Sequence, residues 1–227
     1  MKICVITDIH SNVFALRAAL ADIDDLKPDK IICLGDIVGN GAYPEETVEI
    51  IRKRPDIECV GGNHDFIVLA DLDKFPKDDI RLSMFRWQSK VLSGAAKRFL
   101  SGLKRELRFR AGEKEVVCFH YPRYKNGRFK NLIYMPGNEE VKNLFAGERG
   151  DVFLFGHEHT GSFTEIDGKF YLNFGTLGNL LEKDIARYGV VDISDNGVGY
   201  ELRKVGYDDS VFRNRTEELL KDLNLKV

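Results

Sequence analysis

Five short runs of Asp, Asn and His, each directly after an apolar segment, are the residues of this sequence best suited to chemistry. The runs are Asp8-Ile9-His10, Gly35-Asp36, Gly62-Asn63-His64-Asp65, His120-Tyr121-Pro122 and Gly156-His157-Glu158-His159. A single Asp or His after a strand is more commonly a turn or cap residue. Five runs at five predicted strand ends are harder to explain in that way, because carboxyl ends of parallel strands meet at one edge of a sheet. We therefore predict one shared site.

The side chains of these runs form a set of metal ligands. Four imidazoles, two carboxylates and one amide are available, from Asp8, His10, Asp36, Asn63, His120, His157 and His159. This set is too large for one ion with open positions, and it suits two divalent ions about 3.5–4 Å apart that share a carboxylate. Nitrogen and oxygen ligands without a thiolate favour Mn²⁺, Fe, Zn²⁺, Co²⁺ or Ni²⁺ over Ca²⁺ or Mg²⁺. We place Mn²⁺ first, although the sequence does not choose among the five.

Alternating strand and helix signals position the first three runs. Lys2–Thr7, Lys30–Leu34 and Ile57–Gly61 are apolar segments too short for helices and typical of buried strands. A helix is predicted after Asn12, which can cap it, and another from Pro44, which is followed by two acidic residues. This alternation predicts βαβ units and a parallel sheet.

The rest of the chain predicts a helical segment followed by antiparallel strands. Residues 66–105 have helical spacing of apolar residues and are interpreted as a helical insertion in a single domain that spans residues 1–227. Strands are predicted at Glu115–Phe119 and Asp151–Phe155, and a hairpin turns at Asp167-Gly168. Another antiparallel pair, Arg187–Ile193 with Val198–Val205, turns around residues 195–197. The tail, residues 207–227, is predicted to contain a short amphipathic helix, Thr216–Leu225, that docks on the body or forms a dimer contact.

Composition excludes several classes of protein. The 227 residues are 43% hydrophobic and 31% charged, which is typical of a folded globular chain and not of a disordered or fibrous one. No apolar run approaches the length of a membrane span, and no signal peptide is recognisable. The four cysteines lie singly in apolar runs and are expected to be reduced and buried. We expect a cytoplasmic protein with no membrane partner.

Together, the five runs resemble the motifs of the calcineurin-like metallophosphoesterase superfamily, in the same order and over about residues 1–175. The resemblance implies an α/β fold, a sandwich of two mixed β-sheets flanked by helices, with βαβ units first and antiparallel strands later. It implies that one metal is held by Asp8, His10, Asp36 and His159, and the other by Asp36, Asn63, His120 and His157. Asp36 would then bridge the two ions.

Departures from the superfamily pattern indicate which group within the superfamily this chain resembles. Protein Ser/Thr phosphatases of the superfamily carry Asp where this chain has Gly39 and Glu where it has Asp65, which argues against a protein phosphatase. Phe174 and Thr176 stand where relatives usually show Pro and Ser. With its compact length, the chain is more similar to the small prokaryotic phosphodiesterase group.

The resemblance implies hydrolysis of phosphodiester or phosphomonoester bonds by a hydroxide generated between the two ions. His64 is not required as a ligand in that scheme, so we interpret it as the general acid or hydrogen-bond donor for the leaving group. Asn12 is either a phosphate contact or only a helix cap. Basic and aromatic residues alternate in residues 122–130, where Arg123 and Arg128 would bind the phosphates or base of a nucleotide.

Two other functions remain open from the sequence. Residues 66–135 contain 16 Lys and Arg against 7 Asp and Glu, a net charge of +9, whereas the rest of the chain has −11. A basic region of this kind favours an anionic small molecule as the partner, but it also suits a nuclease that holds DNA or RNA. A non-catalytic scaffold of the same fold is the third alternative, although such a protein would be expected to lose ligands that this chain retains. A homo-oligomer is also compatible with the sequence.

Overall fold

Two five-stranded β-sheets packed face to face form the centre of the protein, as seen in a computed structural model that describes residues 1–77, 79–178 and 182–225. The strands are β1 (Lys2–Ile6), β2 (Lys30–Cys33), β3 (Ile57–Cys59), β4 (Leu107–Ala111), β5 (Lys114–Cys118), β6 (Val152–Phe155), β7 (Ser162–Ile166), β8 (Lys169–Asn173), β9 (Ile185–Ser194) and β10 (Gly197–Gly206). Their order is β10-β9-β1-β2-β3 in one sheet and β4-β5-β6-β8-β7 in the other. Both sheets are mixed, which confirms the predicted α/β sandwich.

Helices cover the outer faces of the sheets. The described residues contain α1 (Val13–Leu26), α2 (Pro44–Arg52), α3 (Asn63–Ile67), α4 (Ser83–Val91), α5 (Gly94–Ser101), α6 (Asn138–Leu144) and α7 (Ser210–Asp222), with 3₁₀ turns at Leu72–Lys74 and Ile80–Leu82. Side chains of α1, α2 and α5 pack on the first sheet, and α6 packs on the second. None of the helices in the described ranges is long and apolar enough to cross a membrane.

Alternation along β1 explains how one short strand serves two cores. Ile3 and Val5 face the second sheet, whereas Cys4 and Ile6 face the helices, and all four are fully buried. Successive side chains of a strand point to opposite faces, so a strand covered on both faces is apolar throughout. The continuous apolar run that predicted β1 therefore reflects its central position, between β9 and β2.

Parallel pairing brings the predicted strand ends to one edge of the sandwich. β1, β2 and β3 are parallel neighbours, and β5 is parallel to β6 in the other sheet. The predicted hairpin at Asp167-Gly168 is confirmed, with both residues at positive φ as a two-residue turn of this kind requires. The predicted pairing of β9 with β10 is also confirmed.

Two elements were not predicted from the sequence. β4 pairs with β5 as a hairpin through Gly112, at φ +60°, although the alternation in Leu107-Arg108-Phe109-Arg110-Ala111 is a strand signal. The second unpredicted element is the helix α6, which is only seven residues long.

All four cysteines are free thiols, as expected. Three of them are buried as expected, whereas Cys59 is only half-buried.

The tail helix docks on the body of this chain. It begins at Ser210, six residues before the predicted start at Thr216, and it buries Phe212, Thr216 and Leu219. Leu219 belongs to a small apolar cluster with Ala42 and Met84. The last two residues of the predicted tail and Asp78 of the 66–105 segment lie outside the described residues.

Candidate metal centre

The loops after β1, β2 and β6 hold unusual backbone conformations at the predicted ligands. Asp8, His10, Asp36 and His157 have φ values of 52°, 51°, 50° and 72°. Positive φ is uncommon in residues other than Gly, and Asp, Asn and His adopt it more readily than most. Strain of this kind persists only where surrounding contacts enforce it, and it concentrates at functional sites.

Glycines at the strand ends allow neighbouring loops to approach closely. A Cβ atom on Gly62 would lie 2.1 Å from Asp36 Oδ1, and one on Gly156 would lie 2.6 Å from Asp8 Oδ2 and 2.1 Å from Thr7 Oγ1. Real Cβ atoms essentially never make contacts this short, so each glycine lets its loop pack directly against a carboxylate in the loop after another strand, β2 for Gly62 and β1 for Gly156. The ligand loops are therefore positioned by contact with one another.

The first ligand cluster joins the ends of β1 and β6. His10 Nε2 lies 3.0 Å from His159 Nε2, and Asp8 Oδ1 lies 3.2 Å from the same atom of His159. Asp8 Oδ2 accepts hydrogen bonds from Thr7 Oγ1 and from the backbone N–H of His157. Asp8 Oδ1 is buried, and apart from its approach to His159 it has no polar partner among the described residues that meets hydrogen-bond geometry.

The second cluster joins the ends of β2, β3, β5 and β6. His120 Nε2 lies 3.1 Å from Asn63 Oδ1, 3.2 Å from His157 Nδ1 and 3.4 Å from Asp36 Oδ2. His120 Nδ1 is 2.8 Å from the carbonyl oxygen of Leu34 and therefore carries the proton that this contact requires. Nε2 of His120 then faces three acceptor atoms.

These contacts fit a cation at each cluster. Lone pairs converge on small volumes: ligand atoms of Asp8, His10 and His159 lie within 4.8 Å of one another, as do those of Asp36, His120 and His157. A third such group consists of His10, Asp36 and His64. Converging acceptors and a buried carboxylate oxygen without a donor are costly unless a positive charge satisfies them. All seven predicted ligands thus lie at one edge of the sandwich.

Burial and charge move the pKa values of the clustered groups in opposite directions. Burial lowers the pKa of His10 to about 3 and that of His157 to about 4. Burial acts on His120 in the same sense, but the charges of Asp36 and Asp8 outweigh it and raise its pKa to about 9. The pKa of Asp8 falls to about 2, because the charge of His120 and its other histidine contacts outweigh burial. In the metal-free state His120 is therefore an imidazolium near neutral pH, with a proton on Nε2 that a bound metal ion would replace.

His64 lies beside both clusters. Its Nε2 is 3.8 Å from Asp36 Oδ2, and its ring packs edge-on against His10 and Phe85. Its backbone N–H donates to Asp36 Oδ1 at 2.8 Å. Nδ1 is buried and has no hydrogen-bond partner within the described ranges. A Cβ at Gly39 would lie 2.0 Å from this Nδ1 atom, so an Asp at position 39 would not fit beside His64 as it is placed here.

Sequence reasoning missed the residues that hold the loops. Asp65 accepts hydrogen bonds from the backbone N–H groups of Gly62 and Val38, which links the loops after β3 and β2. Burial, reinforced by the charge of Asp36, raises the pKa of Asp65 to about 7. Asp65 was noted from the sequence only as a departure from the protein phosphatase pattern.

Gln88 of α4 is the second such residue. It is fully buried, accepts from the N–H of Gly39, and donates to Gly41 O and Ser11 Oγ. The sequence could have indicated that Gln88 is buried, because it lies four residues after Met84 and therefore on the same face of the helix.

Asn12 has a structural role in this protein. Its Oδ1 accepts from the N–H of Ala15 and caps α1, and its Nδ2 donates to Gly178 O and Tyr207 OH. The side chain is fully buried, and both its ends are used inside the protein. Of the two roles predicted for Asn12, these bonds support the helix cap, and the phosphate contact stays a prediction.

Phe174 and Thr176 also have structural explanations. The hydroxyl of Thr176 donates to the backbone oxygen of Asp8 at 2.7 Å. Phe174 is buried between the sheets and lies directly over Gly189, where a Cβ would be 2.3 Å from its ring. These departures support the ligand loop after β1 and the packing of β9.

A pocket of about 490 Å³ adjoins the second cluster and contains both predicted substrate-binding arginines. We call it the arginine pocket, and its lining residues are Asn63, Phe66, Ile67, Arg105, Arg123, Arg128 and Phe129. Phe129 also stacks on the ring of His157, with centroids 6.0 Å apart. The structure thus places Arg123 and Arg128 next to the predicted metal ligands.

Comparison with known proteins agrees with this geometry. The sequence profile of the calcineurin-like phosphoesterase superfamily domain matches residues 1–196, and the chain belongs to this superfamily of phosphoesterases. An uncharacterized protein of Methanocaldococcus jannaschii is 33% identical over 243 aligned positions, which cover 96% of this chain and 95% of that protein.

Solved structures share the fold. A hypothetical protein from Pyrococcus horikoshii has a TM-score of 0.82 at 20% identity, over 99% of this chain and 94% of the other. A metallophosphoesterase from Sphaerobacter thermophilus has a TM-score of 0.73 at 23% identity, over 100% and 95% of the two chains. At these identities the likeness establishes the α/β sandwich.

Proposed function

We propose that this protein is a dinuclear metal-dependent phosphoesterase that hydrolyses phosphodiester or phosphomonoester bonds of small anionic substrates. The observation that carries the proposal is the convergence of two sets of lone-pair donors at one edge of the sandwich, the first of which contains the buried Asp8 Oδ1 atom, 3.2 Å from His159 Nε2. Membership of the phosphoesterase superfamily supports the same chemistry.

Asp8, His10, Asp36 and His159 would hold one divalent ion, and Asp36, Asn63, His120 and His157 the other. Ions in these positions would supply a water of lowered pKa and neutralise charge on the phosphate oxygens. The nitrogen and oxygen ligand set suits Mn²⁺, Fe, Zn²⁺, Co²⁺ and Ni²⁺ alike, and we place Mn²⁺ first among the five. Asp36 is suited to the shared position because its carboxylate lies within 4.8 Å of a ring nitrogen of His10, from the first set, and of ring nitrogens of His120 and His157, from the second.

In this proposal His64 is the general acid. Its Nε2 lies on the side of Asp36 and the ligand clusters, and its ring is held by Phe85 and His10. A hydroxide, formed when a water gives up its proton to solvent, bonds to phosphorus as the bond from phosphorus to the leaving oxygen breaks. His64 Nε2–H transfers its proton to that oxygen and is reprotonated from solvent afterwards. Proton donation of this kind contributes about 10²–10⁴-fold to rate.

His64→Ala tests this role. We expect turnover of 2′,3′-cyclic AMP, whose leaving group is an alkoxide, to fall at least about 100-fold, since that leaving group loses its proton donor. Turnover of bis(4-nitrophenyl) phosphate should fall less, because its phenolate leaves without a proton. Metal content, measured by elemental analysis, should stay at the wild-type value. Unchanged turnover would contradict the assignment, and loss of metal would make His64 a ligand, as its proximity to His10 and Asp36 also allows.

The activity itself is tested on protein stripped of metal and reloaded separately with each of the five metals. Hydrolysis of 4-nitrophenyl mono- and diesters that requires added metal supports the proposal. Absence of hydrolysis with every metal, in protein that binds two ions per chain, would favour the scaffold alternative. Cleavage of oligonucleotides in preference to small esters, with a steep salt dependence of binding, would favour the nuclease.

A further inference from the structure

The arginine pocket is continuous with the proposed metal centre. Asn63 lines the pocket and also lies 3.1 Å, through its Oδ1, from His120 Nε2. The volume of about 490 Å³ falls within the range of about 300–1,000 Å³ that is typical of small-molecule sites. A group attached to a phosphate at the metal centre would therefore reach this pocket directly.

Three guanidinium groups line the pocket, and none of its described lining residues carries a carboxylate. Arg123 is fixed: Nη1 donates to Gly127 O at 2.8 Å, and the guanidinium carbon lies 3.6 Å from the centre of the Phe129 ring. Its Nε and Nη2 atoms have no hydrogen-bond partner in the described part of the chain. Burial and the charge of Arg105 lower the pKa of Arg123 to about 10, so it remains cationic at neutral pH. Concentrated positive charge of this kind requires an anion.

The wall that carries Arg123 and Arg128 is a closed loop. Tyr124 N–H donates to Arg128 O at 2.8 Å, and Lys130 N–H donates to Pro122 O at 2.9 Å. Stacking of Phe129 on His157 holds this loop against the ligand cluster. The side chain of Arg128 is exposed, as is that of Arg105, and both are therefore accessible to a ligand.

The remaining lining is apolar and partly aromatic. Phe66, Ile67 and Phe129 are half-buried, so apolar surface is left for an occupant. Aromatic rings and guanidinium planes are the surfaces on which nucleobases stack. The occupant that matches both features has a flat, apolar part and at least one phosphate in addition to the one that reacts.

We infer that the arginine pocket binds the nucleotide portion of a nucleoside polyphosphate substrate, with Arg105 and Arg128 on the additional phosphate and the base against Phe66, Ile67 and Phe129. This inference rests on the proposed function, because it places the reacting phosphate at the metal centre. It adds Arg105, Phe66 and Ile67 to the arginines named from the sequence, and it defines the substrate as a polyphosphate rather than a simple ester.

Binding to metal-stripped protein tests the pocket without catalysis. Isothermal titration calorimetry would compare ADP with adenosine and with inorganic pyrophosphate. We expect ADP to bind at least about tenfold more tightly than either, since it alone supplies both base and charge. Arg105→Gln combined with Arg128→Gln should weaken ADP binding by at least about tenfold, because two exposed guanidinium groups are lost. Arg17→Gln, an exposed arginine on α1, is the matched control and should change nothing.

A second measurement uses the metal-loaded protein. The double variant should raise KM for diadenosine tetraphosphate at least about tenfold and leave KM for methyl 4-nitrophenyl phosphate unchanged. Equal effects on the two substrates, or an equal loss in Arg17→Gln, would overturn the inference. ADP binding no tighter than pyrophosphate would remove base recognition, and single-stranded oligonucleotide that binds more tightly than ADP at the same arginines would assign the pocket to nucleic acid instead.

The two proposals fail in different ways. If no ester is hydrolysed with any metal, but ADP binds and the double variant weakens it, the proposed function fails and the pocket assignment stands as a binding site. If methyl 4-nitrophenyl phosphate is hydrolysed and ADP binding is absent, the phosphoesterase proposal stands and the pocket assignment is wrong.

Discussion

Gly156 precedes two proposed ligands and has no room for a side chain. Its missing Cβ would lie 2.1 Å from Thr7 Oγ1 and 2.6 Å from Asp8 Oδ2. We expect Gly156→Ala to displace the loop with His157 from Asp8 and to weaken metal binding by about tenfold or more. Metal content after dialysis against limiting Mn²⁺ measures this effect.

Gly206→Ala is the matched control, because no atom lies within 4 Å of a Cβ at that position. It should retain the metal content of the wild type. Wild-type metal binding by Gly156→Ala would mean that close packing of the two loops is not what positions the ligands.

His120 connects metal binding to pH. The charges of Asp36 and Asp8 raise its pKa to about 9 against the opposing effect of burial, so the metal-free protein holds a proton there at pH 7. A nitrogen ligand must lose that proton, and metal binding at pH 7 should therefore release it. We expect metal affinity to increase as pH rises from 7 toward 9 and to level off above that pH.

Calorimetry in buffers of different ionisation enthalpy measures the number of protons released. His120→Asn is the comparison variant and should lose this component. An affinity that does not change between pH 7 and pH 9 would contradict the raised pKa of His120.

The seven proposed metal ligands were predicted from their residue types and their positions after apolar segments, and the structure brings all seven together. The role of Asn12 did not follow, because cap and phosphate contact require the same residue type in the same place. Only the bonds to Ala15, Gly178 and Tyr207 distinguish them, and two of these partners are more than 160 residues away along the chain.

At the scale of the elements, Gln88 ties α4 to the loop after β2. Gln88→Ala would leave the N–H of Gly39 and the oxygen of Gly41 without their partner in a buried position. We expect a loss of about 1–3 kcal/mol in the free energy of unfolding, the cost of unpaired buried polar groups. Turnover should also fall, because Gly39 packs on His64. Urea unfolding and steady-state kinetics measure the two effects.

Lys90→Ala, an exposed change on the same helix, should leave both measurements unaltered. Reduced stability with normal turnover in Gln88→Ala would limit Gln88 to holding α4 on the body and would remove its proposed influence on His64.

The elements that local sequence patterns specify were predicted, and α6, which depends on packing against another element, was not. The turn at Asp167-Gly168 fixes its hairpin locally, because two consecutive residues at positive φ match the twist of the strands. In α6, by contrast, seven residues are too few for a stable isolated helix. Its Val141 and Leu144 pack on the second sheet, which stabilises it by tertiary contact.

At the scale of the whole molecule, the last helix supports the loop after β2 from outside. Phe212 is buried and packs against Gly41 and Tyr43. Phe212→Ala should lower the free energy of unfolding by about 3–5 kcal/mol, the usual cost of removing a buried aromatic ring. Chemical denaturation measures the change.

The adjacent Val211 is 51% exposed, and Val211→Ala should therefore change stability little. Equal effects of the two substitutions would indicate that α7 is not packed on the body of the chain in solution. Such a result would return the tail helix to the alternative of a contact between two chains.

The fold shows where part of the positive charge of residues 66–135 is concentrated. Its net charge of +9 is spread over residues 66–135, but three of its arginines meet at the arginine pocket. Arg105 lies between α5 and β4, whereas Arg123 and Arg128 lie on the loop after His120. The charge of the segment predicted an anionic partner, and the position of the pocket indicates where that partner would bind.

The sequence by itself determined the types of the proposed ligands, their order and their places at strand ends, because the period of apolar residues and the turn residues are local properties of a chain. All five histidines of the sequence fall in the five runs that predicted the proposed centre. Only the tertiary structure decided which ligands meet. His10 faces His159 across 149 residues of sequence, and His120 faces Asn63 across 57, because two sheets pack with these strand ends at the same edge. The physical reason is that burial of both faces of β1 fixes the sandwich, and the sandwich in turn fixes the distances between loops that have no contact along the chain.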